Sequence, residues 1–183
     1  MMEATALLLS LQDAVPGARL ESAPSVDLQT TVYVSREDLL RVAQALRDRA
    51  DLGFNFLAEL TAVDFWPREP RFELVYLLVS IEHRLRLRMK VKLHGADARL
   101  STVSGLWPAA NWLEREVWDL FGITFDGHPD PRRLLMPEDW EGYPLRKGYP
   151  VQIRMTPRTT EALQLTEEEF RVNVEKDRLA RRD

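Results

Sequence analysis

The sequence predicts an α+β fold: an antiparallel sheet with flanking helices, followed by an extended proline-rich C-terminal arm and a short terminal helix. One region alternates apolar and basic residues with the period of a β-strand, and other regions repeat apolar residues with the period of an α-helix. Prolines then interrupt the C-terminal part of the chain. The 183 residues and 45% hydrophobic content suit one domain with a hydrophobic core.

The N-terminal region predicts a helix, a strand and a second helix. The apolar residues of the first helix are Ala4, Leu7, Leu8, Leu11 and Val15. Pro16-Gly17 ends that helical pattern, and a strand is expected over about Leu28 to Val34. Ser35 to Asp38 resembles a capping box, and the apolar positions after it predict a helix over residues 36–50.

Two β patterns follow closely enough to predict a hairpin, Phe72 to Val79 and Arg84 to Leu93. In the second strand, apolar residues alternate with five basic ones: Arg84, Arg86, Arg88, Lys90 and Lys92. Such a face can attract nucleic acid or anionic lipid, or it can be a solvated face that pairs with acids such as Glu73. The second interpretation is favoured because no aromatic residue is interleaved for base stacking. This face can also be covered by a partner subunit.

A third helix is expected from Leu106, with Gly122 at its C-cap. The prolines after it argue against a compact second domain. We therefore predict an α+β domain over residues 1–125 and an extended partner-binding arm over residues 126–183. Thr166 and Glu169 are spaced as a capping box, which predicts a terminal helix.

Composition excludes several classes of function. The chain has no cysteine, so it cannot use thiolate catalysis or hold a cysteine-ligated iron–sulfur cluster. Its formal charge of −4 gives no broad positive field for nucleic acid. No apolar run reaches the roughly 20 residues that span a bilayer, and no signal peptide is recognisable. The expected location is therefore the cytoplasm, with membrane contact only through partners.

A charged cluster near the third helix permits a rival interpretation. Glu114, Glu116, Asp119 and His128 contain the residue types of acid–base or metal chemistry, as in a stand-alone hydrolase. However, residues two apart on a helix point in different directions, and Arg115 and Asp119 have the i, i+4 spacing of a surface ion pair. Structural ion pairing is therefore favoured over catalysis, and bound metal in the pure protein would favour the hydrolase.

The stretch from Trp107 to Pro150 combines aromatic and basic side chains, which protein interfaces concentrate. These are Trp107, Trp112, Trp118, Trp140, Tyr143, Tyr149, Arg132, Arg133, Arg146 and Lys147. Prolines stiffen the segment and reduce the entropy lost on docking, so we interpret it as an arm that lies along another protein. The alternative is a tail folded back on its own domain.

Specific runs in and before this stretch resemble one known family. They are EREVWDLFGITFDGHPDPRRLL (Glu114 to Leu135) and PEDWEGYPLRKGYP (Pro137 to Pro150), supported by LWPAANW (Leu106 to Trp112) and LTAVDF (Leu60 to Phe65). Together they resemble the 30-kilodalton subunit family of complex I, the proton-pumping NADH:quinone oxidoreductase, which in bacteria is its C-subunit. The resemblance is strong over about residues 50–150. Pro131 and Gly148 depart from it, where leucine and aspartate are usual.

The resemblance implies a cofactor-free accessory subunit with no catalytic activity of its own, at the cytoplasmic face of the inner membrane. Flavin mononucleotide and iron–sulfur clusters would belong to partner subunits, and the arm would contact the quinone-site subunit and neighbouring cluster-bearing subunits. Related ferredoxin-fed complexes and membrane-bound hydrogenases use similar subunits and stay open as alternatives. The expected interface residues are Glu114, Arg115, Glu116, Trp118, Asp119, His128, Arg132, Arg133, Trp140, Tyr143, Arg146, Lys147 and Tyr149.

Overall fold

A computed structural model describes residues 4–27, 29–150, 168 and 170–172 and confirms the predicted fold class of a sheet flanked by helices. The helices are α1 (Ala4–Ala14), α2 (Leu39–Asp48) and α3 (Ala110–Phe121), with a short 3-10 helix at Gly95–Asp97. The strands are β1 (Leu20–Ala23), β2 (Thr31–Val34), β3 (Phe56–Asp64), β4 (Phe72–Ser80), β5 (Leu85–Leu93), β6 (Arg99–Ser101) and β7 (Thr124–Asp126).

The larger sheet is mixed, with the strand order β1-β2-β5-β4-β3. The predicted hairpin is confirmed, because β4 and β5 pair antiparallel with Phe72 opposite Leu93. The prediction of a wholly antiparallel sheet needs one correction, since β2 pairs with β5 in parallel. After β2 the chain reverses its direction on entering each of α2, β3, β4 and β5. Because the number of reversals is even, β5 runs in the same direction as β2. A smaller sheet pairs β6 with β7, also in parallel.

The sequence pattern predicts neither β3 nor the short strands β1, β6 and β7. A bulge in β3 shifts its pairing with β4 between Leu57 and Glu59. The shift breaks the alternation of buried and exposed side chains from which a strand is recognised. The three short strands have three or four residues each, too few to establish a period.

The capping-box region ends in a turn before α2 begins, so the helix starts at Leu39 rather than at residue 36. The Ser35 hydroxyl donates to the Asp38 carboxylate at 2.8 Å, and the Asp38 amide donates to Ser35 Oγ at 3.3 Å. The Arg19 amide also donates to the Asp38 carboxylate, at 3.0 Å, which ties this turn to the start of β1. The observed strand before the turn begins at Thr31, and Leu28 lies outside the described residues.

One apolar cluster joins the helices to the inner face of the larger sheet. From β5 it takes the predicted alternate residues Leu85, Leu87, Met89, Val91 and Leu93. The basic residues of β5 lie on the opposite face. Lys90 Nζ is 2.7 Å from the Glu73 carboxylate, so the predicted pairing with the neighbouring strand is confirmed.

Residues 127–149 belong to the same compact unit as the α+β domain, which extends to Tyr149. The structure therefore does not separate an arm from the domain at residue 126, because this segment is hydrogen-bonded along α3. That residues 126–183 bind a partner stays a prediction. In the second unit, from Pro150 onward, the described residues Glu168 and Phe170–Val172 are helical, whereas Thr166 and Glu169 lie outside the described residues.

Candidate functional site

The side chain of Asp119 fixes residues 127–149, which we call the fold-back segment. Asp119 is fully buried on α3, and its Oδ1 lies 2.6 Å from Arg133 Nη1. Its Oδ2 accepts hydrogen bonds from three consecutive backbone amides, those of Leu134, Leu135 and Met136, at 3.1, 2.8 and 2.8 Å. Burial by itself raises the pKa of the Asp119 carboxyl, but the Met136 amide, Arg133 and the other two amides together lower that pKa below its ordinary value.

Arg115, one helical turn before Asp119, binds the beginning of the same segment. Its guanidinium donates to the carbonyl oxygens of Arg132 and Arg133 at 3.0 and 2.9 Å and lies 3.2 Å from the Asp130 carboxylate. The predicted surface ion pair between Arg115 and Asp119 is therefore wrong. Both side chains are buried, because backbone groups and opposite charges of the fold-back segment satisfy each of them.

Arg133 and Arg146 complete the attachment of the fold-back segment. Arg133 Nη2 donates to the carbonyl oxygen of Trp140 at 2.7 Å, and its guanidinium lies 5.7 Å from the Trp118 ring centre. Arg146 Nε donates to the carbonyl oxygen of Phe121 at 2.5 Å, where the helix leaves carbonyl groups without helical partners. Two arginines that the sequence assigns to a partner interface thus bind groups of their own chain.

The C-cap of α3 allows the segment to approach closely. Gly122 has a φ of 69°, as predicted for a C-cap glycine, and its amide donates to the Trp118 carbonyl at 2.8 Å. A Cβ atom at Gly122 would lie only 2.4 Å from the ring of Tyr143. This ring in turn packs against the Arg146 guanidinium at 4.6 Å. Any larger residue at this position would force the Tyr143 ring to move and would be strained by the positive φ.

Asp64 connects the end of β3 to the fold-back segment, a link that residue types alone do not predict. Its carboxylate pairs with Arg71 through two bonds of 2.9 and 2.8 Å and accepts the Lys147 amide at 2.9 Å. Hydrogen bonding from Arg71, opposed by burial, lowers the pKa of Asp64 to about 2. The one sequence signal for this residue is the LTAVDF run, in which Asp64 is the fifth residue.

A buried carboxyl and an imidazole meet behind the segment. The Glu114 carboxyl is fully buried, accepts the Val103 amide at 2.7 Å and lies 2.5 Å from Thr102 Oγ1. His128 Nε2 is 3.8 Å from this carboxyl. Because the Asp130 amide donates to His128 Nδ1, the ring proton is on Nε2, which donates to the Asn111 carbonyl at 3.0 Å.

The cavity beside Glu114 and His128 is too small for a hydrolase substrate. It has a volume of about 40 Å³ and is lined in part by Trp118, Phe125 and Pro131. Ligand sites are typically about 300 Å³ or larger. Within the described residues, no group of three histidine, aspartate or glutamate side chains is placed to hold a metal. The small cavity and the partners that Glu114 and His128 find within the chain suit a structural role for this pair.

Burial raises the pKa of Glu114 from 4.5 to about 7, while hydrogen bonding from Thr102 and Val103 acts in the opposite direction. Between about pH 4.5 and pH 7, Glu114 keeps its proton in the folded chain but loses it in the unfolded chain. The free energy of unfolding therefore falls as the pH rises. Relative to Glu114→Gln, we expect the wild-type free energy of unfolding to fall by about 2 kcal/mol from pH 5 to pH 8.

Urea denaturation of both proteins at several pH values measures this difference. The glutamine retains a carbonyl acceptor for the Val103 amide. Its NH2 group, like the O–H of a protonated carboxyl, can donate to Thr102 Oγ1 while the Thr102 hydroxyl donates to Ser104 Oγ. The exposed Glu116→Gln serves as the control and should follow the wild-type pH profile. A constant difference between wild type and Glu114→Gln across this range would show that Glu114 does not retain its proton.

The remaining predicted interface residues divide by exposure. Glu116, Arg132 and Lys147 are exposed, whereas Trp118, Trp140, Tyr143 and Tyr149 are half-buried. Trp140 and Tyr149 stack with their ring centres 6.5 Å apart. Of the two residues that depart from the family pattern, Pro131 lines the small cavity, and a Cβ atom at Gly148 would meet no other atom within 4 Å.

Three large apolar side chains near these residues are exposed instead of buried. Trp112 is 60% exposed, Leu135 60% and Leu145 51%. In the sequence Trp112 is one of several tryptophans, and nothing in the pattern distinguishes the exposed members from the buried ones. Among the described residues, the helices lack the combination of length and apolar character that spanning a membrane requires.

Comparisons with known proteins agree on one family. The family model described as "Respiratory-chain NADH dehydrogenase, 30 Kd subunit" matches residues 32–154. The NADH-quinone oxidoreductase C-subunit of Roseiflexus sp. (strain RS-1) is 49% identical over 146 residues, which are 79% of this chain and 83% of the relative. The C-subunit of Citrifermentans bemidjiense is 48% identical over 124 residues, 68% of this chain and 76% of the relative.

Two solved structures share the fold. The trypsin-resistant fragment (1-134) of Nqo5 has 36% sequence identity and a TM-score of 0.56, covering 70% of this chain and 99% of the fragment. A chain of the archaeal membrane-bound sulfane sulfur reductase has a TM-score of 0.64, covering 88% of this chain and 98% of that chain. Its 24% identity shows a shared fold alone. With these matches over most of its length, the chain belongs to the 30-kilodalton subunit family of respiratory-chain NADH dehydrogenase, complex I.

Proposed function

We propose that this chain is a cofactor-free structural subunit in the peripheral arm of NADH:quinone oxidoreductase. It supports the quinone-site subunit while electrons pass from NADH to quinone and protons are translocated. Flavin mononucleotide and the iron–sulfur clusters are carried by partner subunits, and the complex holds this chain at the cytoplasmic face of the inner membrane.

The observation that carries this proposal is the pre-formed surface of the fold-back segment. The segment is hydrogen-bonded to buried or half-buried side chains of its own chain: Asp119, Arg115, Arg133 and Arg146. These bonds need no partner, and we infer that they hold the backbone in place before a partner binds. A pre-ordered surface loses less entropy on association than a flexible arm would. The chain therefore contributes shape to the assembly.

The outward side chains of the same region suit a protein partner. Trp112, Leu135 and Leu145 are more than half exposed, and the charged residues Glu116, Arg132 and Lys147, each within four residues of one of them in the sequence, are exposed as well. Exposed apolar anchors bordered by polar residues are typical of binding surfaces. We assign partner contact to these six residues and internal support to the buried arginines and Asp119.

The isolated chain is expected to be colourless and to show neither NADH oxidation nor quinone reduction. The absence of cysteine from the whole sequence supports this expectation, because cluster ligation normally requires thiolates. Absorption spectra of the purified chain, together with both assays, test it, with the assembled complex as the positive control. A stoichiometric flavin or cluster band that persists through purification would contradict the proposal.

A further inference from the structure

The outer face of the larger sheet carries an apolar strip. The strip consists of Phe56 and Val63 on β3 and Val75, Leu77 and Val79 on β4. The register places Phe56 directly opposite Val79, and Val75 and Leu77 alternate with the buried Leu74, Tyr76 and Leu78. None of the five strip residues belongs to the apolar cluster that the described helices cover. Phe56 is 49% exposed and Val63 39% exposed.

A basic border runs along one side of this strip. Arg86, Arg88 and Lys90 on β5 lie opposite Val79, Leu77 and Val75, and Lys92 lies opposite Glu73. Arg88 pairs with Asp27 at 2.5 Å and Lys90 pairs with Glu73 at 2.7 Å.

Two of the four basic residues, Arg86 and Lys92, form no ion pair with another described residue. Lys92 lies over the Tyr33 ring at 4.0 Å, an interaction that leaves its charge in place. Arg86 is exposed and forms no ion pair with another described residue. Glu59, opposite Leu77 on β3, places one acid on the far side of the strip. Glu21 on β1 lies opposite Tyr33 and lines the same cavity as Lys92, so the cation on β5 that lies farthest from a described acid is Arg86, beside Val79.

The outer face of the larger sheet is large enough to contact another protein. Nine-residue strands are about 30 Å long, and three neighbouring strands are about 15 Å wide. Glu59 and Thr61 interrupt the strip on β3, so its continuous part runs along β4. Monomeric proteins seldom leave large contiguous apolar patches in solvent. Arg86 and Lys92 attract carboxylates and repel basic groups. They therefore favour a partner surface that carries aspartate or glutamate beside β5.

We propose that the apolar strip and its basic border form a second docking surface, separate from the fold-back segment. Its occupant is a neighbouring subunit whose matching surface is apolar and is edged by aspartate or glutamate carboxylates facing β5. This inference rests on membership in a multi-subunit complex and does not depend on what the fold-back segment binds.

Zero-length carbodiimide coupling of the intact complex tests the chemistry of the border. The reagent joins a lysine amine to a carboxylate in contact with it through an amide bond, with loss of water. Peptide mass spectrometry should find Lys92 or Lys90 linked to an aspartate or glutamate of another subunit. Links from other lysines show that the reaction worked. If both residues are unlinked, or linked only within this chain or to a second copy of it, the proposal is overturned.

Charge reversal provides an independent test in membranes. Arg86→Glu with Lys92→Glu should lower the yield of assembled complex several-fold. The control Arg68→Glu with Arg84→Glu has the same change in charge at the two turns that flank β4, and assembly should stay near wild type. Circular dichroism of each isolated chain confirms folding. Full assembly of the Arg86→Glu, Lys92→Glu variant would contradict the proposal, while leaving the proposed role of the fold-back segment untouched.

Discussion

Asp119→Ala is expected to lower the free energy of unfolding of the isolated chain by about 3 to 5 kcal/mol, the typical cost of removing one partner of a buried charge pair. The substitution leaves the Arg133 guanidinium, whose side chain is 16% exposed, without its carboxylate. It also removes the acceptor of three consecutive amides, those of Leu134, Leu135 and Met136. Unpaired buried polar groups are costly because they have given up their hydrogen bonds to water.

Urea denaturation followed by circular dichroism measures this loss, and limited proteolysis shows whether the fold-back segment has become accessible. Glu116→Ala is the matched control, because it removes an exposed carboxylate from the same helix and should change stability by no more than about 0.5 kcal/mol. The free energy of unfolding of Asp119→Asn should lie between those of Asp119→Ala and Glu116→Ala, because asparagine retains an acceptor oxygen but loses the charge. A free energy for Asp119→Ala equal to that of the control would mean that Asp119 does not hold the segment.

The sequence predicts best where one pattern repeats over many residues. The alternation in β5 continues through nine residues, so both its strand character and its buried face are predictable. The apolar stripe of α3 and the C-cap at Gly122 are equally local signals. The parallel pairing of β2 with β5 depends instead on how many times the chain reverses between them, which no local pattern records.

The candidate interface shows the same division between residue type and geometry. The sequence correctly places Arg115, Asp119 and Arg133 in one charged and aromatic region, but it cannot determine which groups they bind. Helical spacing pairs Arg115 with Asp119, whereas the folded chain offers each of them partners about 14 to 18 residues further on. Partner choice is thus fixed by the path of the fold-back segment, which becomes known only from tertiary structure.

The second large effect is expected at the exposed side of the fold-back segment. Arg132 has a side chain that is 77% exposed, and Leu135 is 60% exposed, so neither contributes much to the stability of the isolated chain. Arg132→Ala with Leu135→Ser should therefore leave folding unchanged within about 1 kcal/mol. In an interface, two such anchors together commonly contribute about 2 kcal/mol or more, roughly a thirtyfold change in affinity.

We expect this double variant to lower the yield of assembled complex and to lower quinone reduction per assembled complex as well. NADH oxidation by an artificial acceptor at the flavin should change little per complex, because in the proposed arrangement the flavin lies in another subunit. Arg68→Ala with Ile81→Ser is the matched control. It removes an arginine and an exposed aliphatic side chain from the two turns beside β4, outside the fold-back segment.

The most direct measurement combines blue-native gels with both activity assays on the same membranes, in which the double variant replaces the wild-type chain. The proposed role predicts less assembled complex and slower quinone reduction per complex, with the flavin-site activity preserved and the Arg68→Ala, Ile81→Ser control near wild type. Normal assembly together with normal quinone reduction in the Arg132→Ala, Leu135→Ser variant would contradict the claim that this chain supports the quinone-site subunit through the fold-back segment.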